Sequence, residues 1–286
     1  MSRFVGSRSL LVNDPVKNIS FQLLLFYPTQ KGSSPIKFGS YLLDSSPDAP
    51  IDVENSPLPL LLLSHGAGGS PLVYRHLILS LAKDGYVVAV PEHYGDNRNN
   101  NALSSTMENL ENRPHHLRLT IDALAADLEW RNYVNTTSVA VLGHSMGGYT
   151  ALAVAGGQPW TGMKQKVEVT PDKRVKSLVL MAPATSWFVP NDSLENVEVP
   201  ILLLTAEKDS ITPRWQSQLI LDLVPDRTKI TFKLIENGGH FSFLTPFPPA
   251  TQKAGFPPAV DPEGFDREKF QEELTQEIKI FLKKTL

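Results

Sequence analysis

The segment Gly143-His144-Ser145-Met146-Gly147-Gly148 places one hydroxyl among glycines, directly after the apolar run Val139–Leu142. An ordinary glycine turn is one reading, since glycine tolerates backbone angles that other residues avoid. The pattern G-x-S-x-G between a strand and a helix supports a sharper one: a bend so tight that its flanks must be small, holding Ser145 above the sheet edge as a nucleophile. A helix starting there, through YTALAVAGG, turns its first amides and positive dipole end toward incoming negative charge.

Serine is a weak nucleophile unless a base takes its proton, and the base must be oriented by a carboxylate. Of the seven histidines only His240, in IENGGHFSFL, follows Ser145. The acid expected between them is Asp209, just past the strand PILLLTAE; Glu207 and Asp192 are its rivals, and Glu207 is close enough to the strand end to be fixed within it. A developing oxyanion needs amides already in place. The backbone N–H of Met146 supplies one, and the glycine-rich loop SHGAGG at 64–69 supplies the other, assigned to Ala67 with Gly68 as alternative. His65 is expected to brace that loop rather than transfer protons. Trp187, Phe188, Phe241 and Phe243, together with Phe247, are candidates for an apolar acyl pocket; core packing is their other reading. The chemistry implied is ester hydrolysis through an acyl-enzyme, with no metal and no cofactor.

These side chains need a scaffold. Short apolar runs alternating with helical patterns predict a mostly parallel sheet of about eight strands with helices on both faces, and 286 residues suffice for it as one domain, 1–286. The runs SLLVN and ISFQLLLFYPT predict an antiparallel start, and the Ser/Pro/Gly-rich stretch 29–58 a surface excursion. LPLLLLSHG reads as a strand buried on both faces. Pro71 to about Lys83 reads as a helix, followed by the strand YVVAV. Residues 94–112 read as a loop, and Leu117, Ile121, Leu124 and Leu128 beyond Pro114 form one helical stripe. TSVAVLG, VKSLVLMAP, PILLLTAE and KITFKLIE are the later strands, and Asp266 caps a last helix bearing Phe270, Leu274, Ile278 and Phe281 or Leu282 on one face. The short link between VKSLVLMAP and PILLLTAE leaves no room for a large lid. The proline-rich stretch TPFPPATQKAGFPPAVDPEGF is expected to wrap the surface near the site entrance.

Composition removes other functions. The net charge is −3, which gives no basic footprint for nucleic acid, and cysteine is absent, which excludes thiol nucleophiles, disulfides and cysteine-held metals. No apolar run approaches the roughly 20 residues of a membrane span, and the first residues lack the apolar core of a secretory signal. A cytoplasmic protein acting on a small-molecule ester is the expectation.

The segments LLSHGAGGS, LAKDGYVVAVPEHYGD, VAVLGHSMGGYTALAVAGG, LLLTAEKDSITP, GGHFSFL and DPEGFDREKF together resemble the α/β-hydrolase superfamily. Within it the chain resembles the bacterial predicted dienelactone hydrolase group, relatives of the platelet-activating-factor acetylhydrolases. The resemblance implies a serine hydrolase, with two departures. True dienelactone hydrolases use a cysteine nucleophile where this chain has Ser145, and the plasma acetylhydrolases place their acid soon after the preceding strand, where LVLMAPATSW carries no carboxylate. A thioesterase or acyltransferase would use the same three side chains. A dehalogenase or epoxide hydrolase would need a carboxylate at 145. A non-enzymatic binding module would be expected to lack one of the three.

Overall fold

The computed structural model describes residues 3–54, 56–252 and 255–286. Among them, ten strands form one sheet: β1 (Phe4–Asp14), β2 (Ile19–Thr29), β3 (Ser34–Phe38), β4 (Tyr41–Pro47), β5 (Leu58–Ser64), β6 (Val87–Pro91), β7 (Val134–His144), β8 (Val175–Met181), β9 (Ile201–Ala206) and β10 (Ile230–Ile235). Their spatial order is β10-β9-β8-β7-β5-β6-β2-β1-β4-β3. From β10 to β6 every pairing is parallel, and β2 then turns the sheet antiparallel.

β5, β6, β8, β9 and the Val139–Leu142 part of β7 are largely apolar and buried because helices cover both faces, whereas the edge strand β10 alternates, with Thr231 and Lys233 exposed. Alternation sorts them into two cores. Leu60, Leu62, Val139, Val141 and Leu203 face α2 (Met107–Ala126), α3 (Met146–Val154) and α4 (Arg214–Leu223). Leu61, Leu63, Ala140, Leu142 and Leu204 face α1 (Arg75–Lys83) and α5 (Arg267–Thr285). α5 begins where expected, with the Asp266 side chain accepting from the Lys269 N–H, and buries Phe270, Leu274, Ile278 and Leu282. No helix among the described residues is long and apolar enough to cross a membrane.

Three expectations are corrected. The sheet has ten strands rather than about eight, because stretch 29–58 contains the hairpin β3–β4 at the sheet edge, β4 pairing β1. Its Pro35 is tolerated because β3 is an edge strand, where a missing amide costs no inner ladder bond. The helix expected beyond Pro114 instead starts at Met107, capped by Thr106, and runs through the proline. Pro114 removes the amide that would bond the Leu110 carbonyl, but the Tyr149 hydroxyl donates to that oxygen at 3.0 Å. Leu128 lies beyond the helix end and is exposed. α4, RWQSQLILDL, went unread; its buried face carries Gln216 and Ser217 beside Ile220 while Trp215 is exposed, so apolarity does not mark the inward side.

Candidate active site

β7 runs into α3 through Ser145, which takes φ 55° and ψ −119°, a conformation that L-residues rarely adopt. The glycines around it are required by contact. A Cβ at Gly143 would collide with the Gly147 carbonyl, one at Gly147 with the Ser64 carbonyl, and one at Gly148 with Pro183. The bend is pinned by the Ser145 N–H to the Met181 carbonyl (3.0 Å) and by the Ala184 and Gly148 amides to the Ser145 carbonyl (2.9 and 2.8 Å). Local strain of this kind persists only where neighbouring structure over-determines it.

Asp209 and His240, separated by 31 residues in sequence, meet at the carboxyl ends of β9 and β10: His240 Nδ1–H donates to Asp209 Oδ2 at 2.7 Å. Asp209 Oδ1 also accepts from the amides of Ile211 and Thr212, each at 2.8 Å, and the Thr212 hydroxyl lies 2.8 Å from Oδ2 and 3.1 Å from His240 Nδ1. Burial raises the carboxyl's pKa, but the hydrogen bonds from His240 and Thr212 outweigh it, so the group sits below its usual range and stays ionised. Glu207 is exposed and accepts from the Asn237 amide instead, and Asp192 is exposed on the preceding connection. Thr212, three residues past the acid in KDSITP, was missed in sequence.

Ser145 and His240 line one cavity. Both side-chain hydrogen bonds of His240 among the described residues run through Nδ1, leaving Nε2 for a group in that cavity. No hydrogen bond joins Ser145 Oγ to His240 among the described residues; such contacts are often long without substrate and tighten in the reacting complex.

The amides of the 64–69 loop separate Ala67 from Gly68. Gly66 N–H donates to the Tyr74 hydroxyl (3.2 Å), Gly68 N–H to Asp96 Oδ1 (2.7 Å) and Gly69 N–H to the Gly66 carbonyl (3.1 Å). The Ala67 amide alone of these four has no partner among the described residues, and Ala67 is exposed at the cavity. The Met146 amide opens α3, where Ser145 provides no side-chain cap; the first amides of a helix lack intrahelical partners. His65 lies behind the loop, with Nδ1 on the Gly66 carbonyl (2.8 Å) and Nε2 on the His93 amide (3.2 Å).

The cavity has a volume of about 410 Å³ and is lined mainly by apolar groups, among them Val73, Ile211, Phe241, Leu244, Phe247 and Phe256. Of the proposed pocket residues only Phe241 and Phe247 lie there. Phe188 and Phe243 are core residues, Phe188 stacked on Tyr149 and Phe243 packed between His144 and Phe270. Trp187 packs edge-on against Tyr149, away from the cavity. All three were misassigned because aromatic residues near a site and aromatic residues in a core look alike in sequence. Phe247, Phe256 and Pro258 come from the proline-rich stretch, which does border the entrance; its residues 253 and 254 lie outside the described residues.

With this geometry in view, residues 59–197 match a family described as alpha/beta hydrolase fold. The chain is 24% identical over 192 residues to Cutinase est1 of Thermobifida alba, covering 66% of this chain and 55% of that protein. It is 25% identical over 162 residues to Cutinase 2 of Thermobifida cellulosilytica, covering 56% and 51%. The chain thus spans about half the length of the cutinases it matches. Among solved structures, a ferulic acid esterase from Streptomyces cinnamoneus superposes with a TM-score of 0.73 at 19% identity, over 99% of this chain and 90% of that one. A predicted CIB-like hydrolase from Thermoplasma acidophilum gives 0.55 at 13% identity, over 96% and 98%. The strand order, the strained serine between β7 and α3, and these similarities agree: the chain has the α/β-hydrolase fold.

Proposed function

We propose that the protein hydrolyses carboxylic esters of small molecules through an acyl-enzyme, with Ser145 as nucleophile, His240 as general base and acid, and Asp209 holding the imidazole. Ser145 Oγ attacks the ester carbonyl carbon while His240 Nε2 takes its proton. The carbonyl oxygen becomes an oxyanion that accepts from the amides of Met146 and Ala67. Collapse of this adduct expels the alcohol, which receives the proton from His240. Water, deprotonated by the same nitrogen, then attacks the acyl-enzyme and restores the serine. Asp209 keeps the proton on Nδ1, so Nε2 is the basic face, and stabilises the imidazolium that forms.

The observation that carries this reading is the 2.7 Å contact between His240 and Asp209 at the wall of the cavity that also exposes Ser145. The apolar lining supports an ester whose acyl part is hydrophobic. The similar cutinases and ferulic acid esterase are ester-cleaving enzymes by name, and the resemblance to the predicted dienelactone hydrolase group points to the same class. The test is Ser145→Ala assayed on p-nitrophenyl acetate and butyrate, alongside labelling of the unaltered protein by a fluorophosphonate. Activity and labelling should both vanish in the variant; turnover at the original rate refutes the mechanism.

A further inference from the structure

His144, inside the G-x-S-x-G bend, takes no part in the chemistry above, yet it is almost wholly buried and both of its ring nitrogens are engaged. Nε2 lies 2.9 Å from the backbone carbonyl of His240. A carbonyl can only accept, so Nε2 carries the proton. Nδ1 is then a bare lone pair, and it lies 2.9 Å from the Tyr74 hydroxyl, which must donate to it. The Tyr74 oxygen in turn accepts from the Gly66 amide at 3.2 Å. One unbroken chain of hydrogen bonds therefore runs from Gly66 N–H through Tyr74 and His144 to the His240 carbonyl, each donor and acceptor in a consistent sense.

The two ends of this chain are the backbones that the reaction must hold still. Gly66 immediately precedes Ala67, whose amide is the second oxyanion donor. His240 bears the base, on a loop that enters the site after Gly238 and Gly239. The middle of the chain is the residue next to the nucleophile. Gly66 also packs against the elbow, where a Cβ on it would stand 3.5 Å from the Ser145 Cβ and 3.6 Å from His144 Nδ1. The His144 and His240 rings sit 4.9 Å apart between centroids. A charge on His144 would oppose the imidazolium forming on His240; burial first, then that neighbour, push the His144 pKa down to about 3 and keep the ring neutral.

We propose that His144 is a positioning residue that ties the loop carrying the base to the loop carrying the Ala67 amide, acting through its bonds to the His240 carbonyl and to the Tyr74 hydroxyl. This rests on the assignment of Ser145 and His240 made above. Removing the bridge frees two loops whose separation sets where the oxyanion and the transferred proton meet, and misplacement by about 1 Å at such a point costs about 10²-fold. The loss should fall on kcat, because neither residue's polar atoms are needed to bind the ground-state ester.

The experiment compares His144→Phe, His144→Gln and Tyr74→Phe with the unaltered protein on p-nitrophenyl butyrate, well below each variant's own unfolding midpoint. His144→Phe should lower kcat about 100-fold with KM changed less than about threefold. His144→Gln, whose amide can still donate to the His240 carbonyl, should recover most of that loss. Tyr74→Phe, which deletes a single oxygen, should lower kcat about tenfold, and combined with His144→Phe it should cost less than the product of the two separate losses, as linked groups do. If His144→Phe does not fold, the other two variants decide. The inference is overturned if Tyr74→Phe, or His144→Phe where it folds, keeps kcat within threefold, if only KM moves, or if the losses multiply. Ser145→Ala separates the failures: an active Ser145→Ala removes the triad itself, whereas an inert Ser145→Ala beside unaffected His144 and Tyr74 variants removes only the bridge.

Discussion

Lowering the pH from 7 to 5 should strip this fold of much of its stability, and buried histidines are the reason. His65, His116 and His144 are each pushed down to about 3, and His93 well below the ordinary value, by burial first and then by a neighbouring positive charge, Arg113 for the first two and His93, His240 for His144. In the unfolded chain each titrates near 6.5. Between pH 6.5 and about 3 the unfolded state therefore binds protons that the folded state refuses, so stability rises with pH and falls as acid is added. Integrated from pH 7 to 5, one histidine held at about 3 costs about 2 kcal/mol, and His65, His116 and His144 together about 6 kcal/mol, with His93 acting in the same direction. That is comparable with the whole stability of a typical domain, about 5–15 kcal/mol. Asp14, Asp96, Asp172 and Asp209 have lowered pKa values too, and their contributions are lost in the same direction, but only as pH falls below about 4, where unfolded carboxyls begin to protonate. The window thus tells the two groups apart. Urea unfolding followed by tryptophan fluorescence at pH 7, 6 and 5 reads it directly. His116→Leu serves as the single-site control, because the Nε2 of His116 is buried without a partner, and it should flatten the loss by about 2 kcal/mol. Stability at pH 5 within about 1 kcal/mol of that at pH 7, or a loss confined to below pH 4, would refute the reasoning.

Three substitutions extend the test to single contacts. Asp209→Asn keeps an oxygen for the Ile211 and Thr212 amides but turns an N–H toward His240 Nδ1, forcing the proton onto Nε2; kcat on p-nitrophenyl butyrate should drop about 10⁴-fold, or about 5 kcal/mol of barrier. Asp96→Asn leaves the fully buried Arg113 guanidinium without its counter-charge, at 2.7 Å in the native pair, and should cost about 3–5 kcal/mol in urea unfolding. Gly147→Ala drives a methyl group into the Ser64 carbonyl and should cost about 3 kcal/mol or more in the same assay; a cost below about 0.5 kcal/mol would mean the elbow is looser than its contacts imply.

The parts of the fold that were legible are those where one interaction dominates. The runs in β5, β6, β8, β9 and Val139–Leu142 of β7 are largely apolar because they are covered twice, and no other element type competes for so short and branched a run. The contact of Asp209 with His240 and the cavity shared by His240 and Ser145 were legible because glycines, strand ends and chain order restrict where such groups can stand. The illegible parts are decided by partners far away in sequence. β3 and β4 look like a loop until β1 offers an edge. α2 crosses Pro114 only because Tyr149, on another helix, satisfies the Leu110 carbonyl. Phe243 differs from Phe241 in which side of a short turn it occupies, and no local pattern records that. His144 carries no signal of its own within the motif, because its contacts are with residues 70 positions before it and 96 after.

The 64–69 loop, proposed above to supply an oxyanion donor, shows why so many polar groups are buried in one small region. Its glycines allow the chain to approach an ester closely, but the same freedom would let the Ala67 amide wander, and an unfixed donor stabilises a developing charge poorly. Two buried networks remove that freedom from different sides. Tyr74, backed by His144, holds the Gly66 amide. Asp96 holds the Gly68 amide and is itself fixed by Asn109 at 2.8 Å and by Arg113, which also donates to the Ser64 hydroxyl, to the His65 carbonyl and, at 3.0 Å, to Thr150 on the helix that follows the nucleophile. The amides on either side of Ala67 are thereby anchored while its own points free. Such networks cost desolvation, and this one also leaves Asn109 Oδ1 buried without a partner among the described residues. The expense is intelligible if what they secure is the position of one N–H: an apolar core of equal volume could hold the loop in place, but it could not fix which amide faces the cavity.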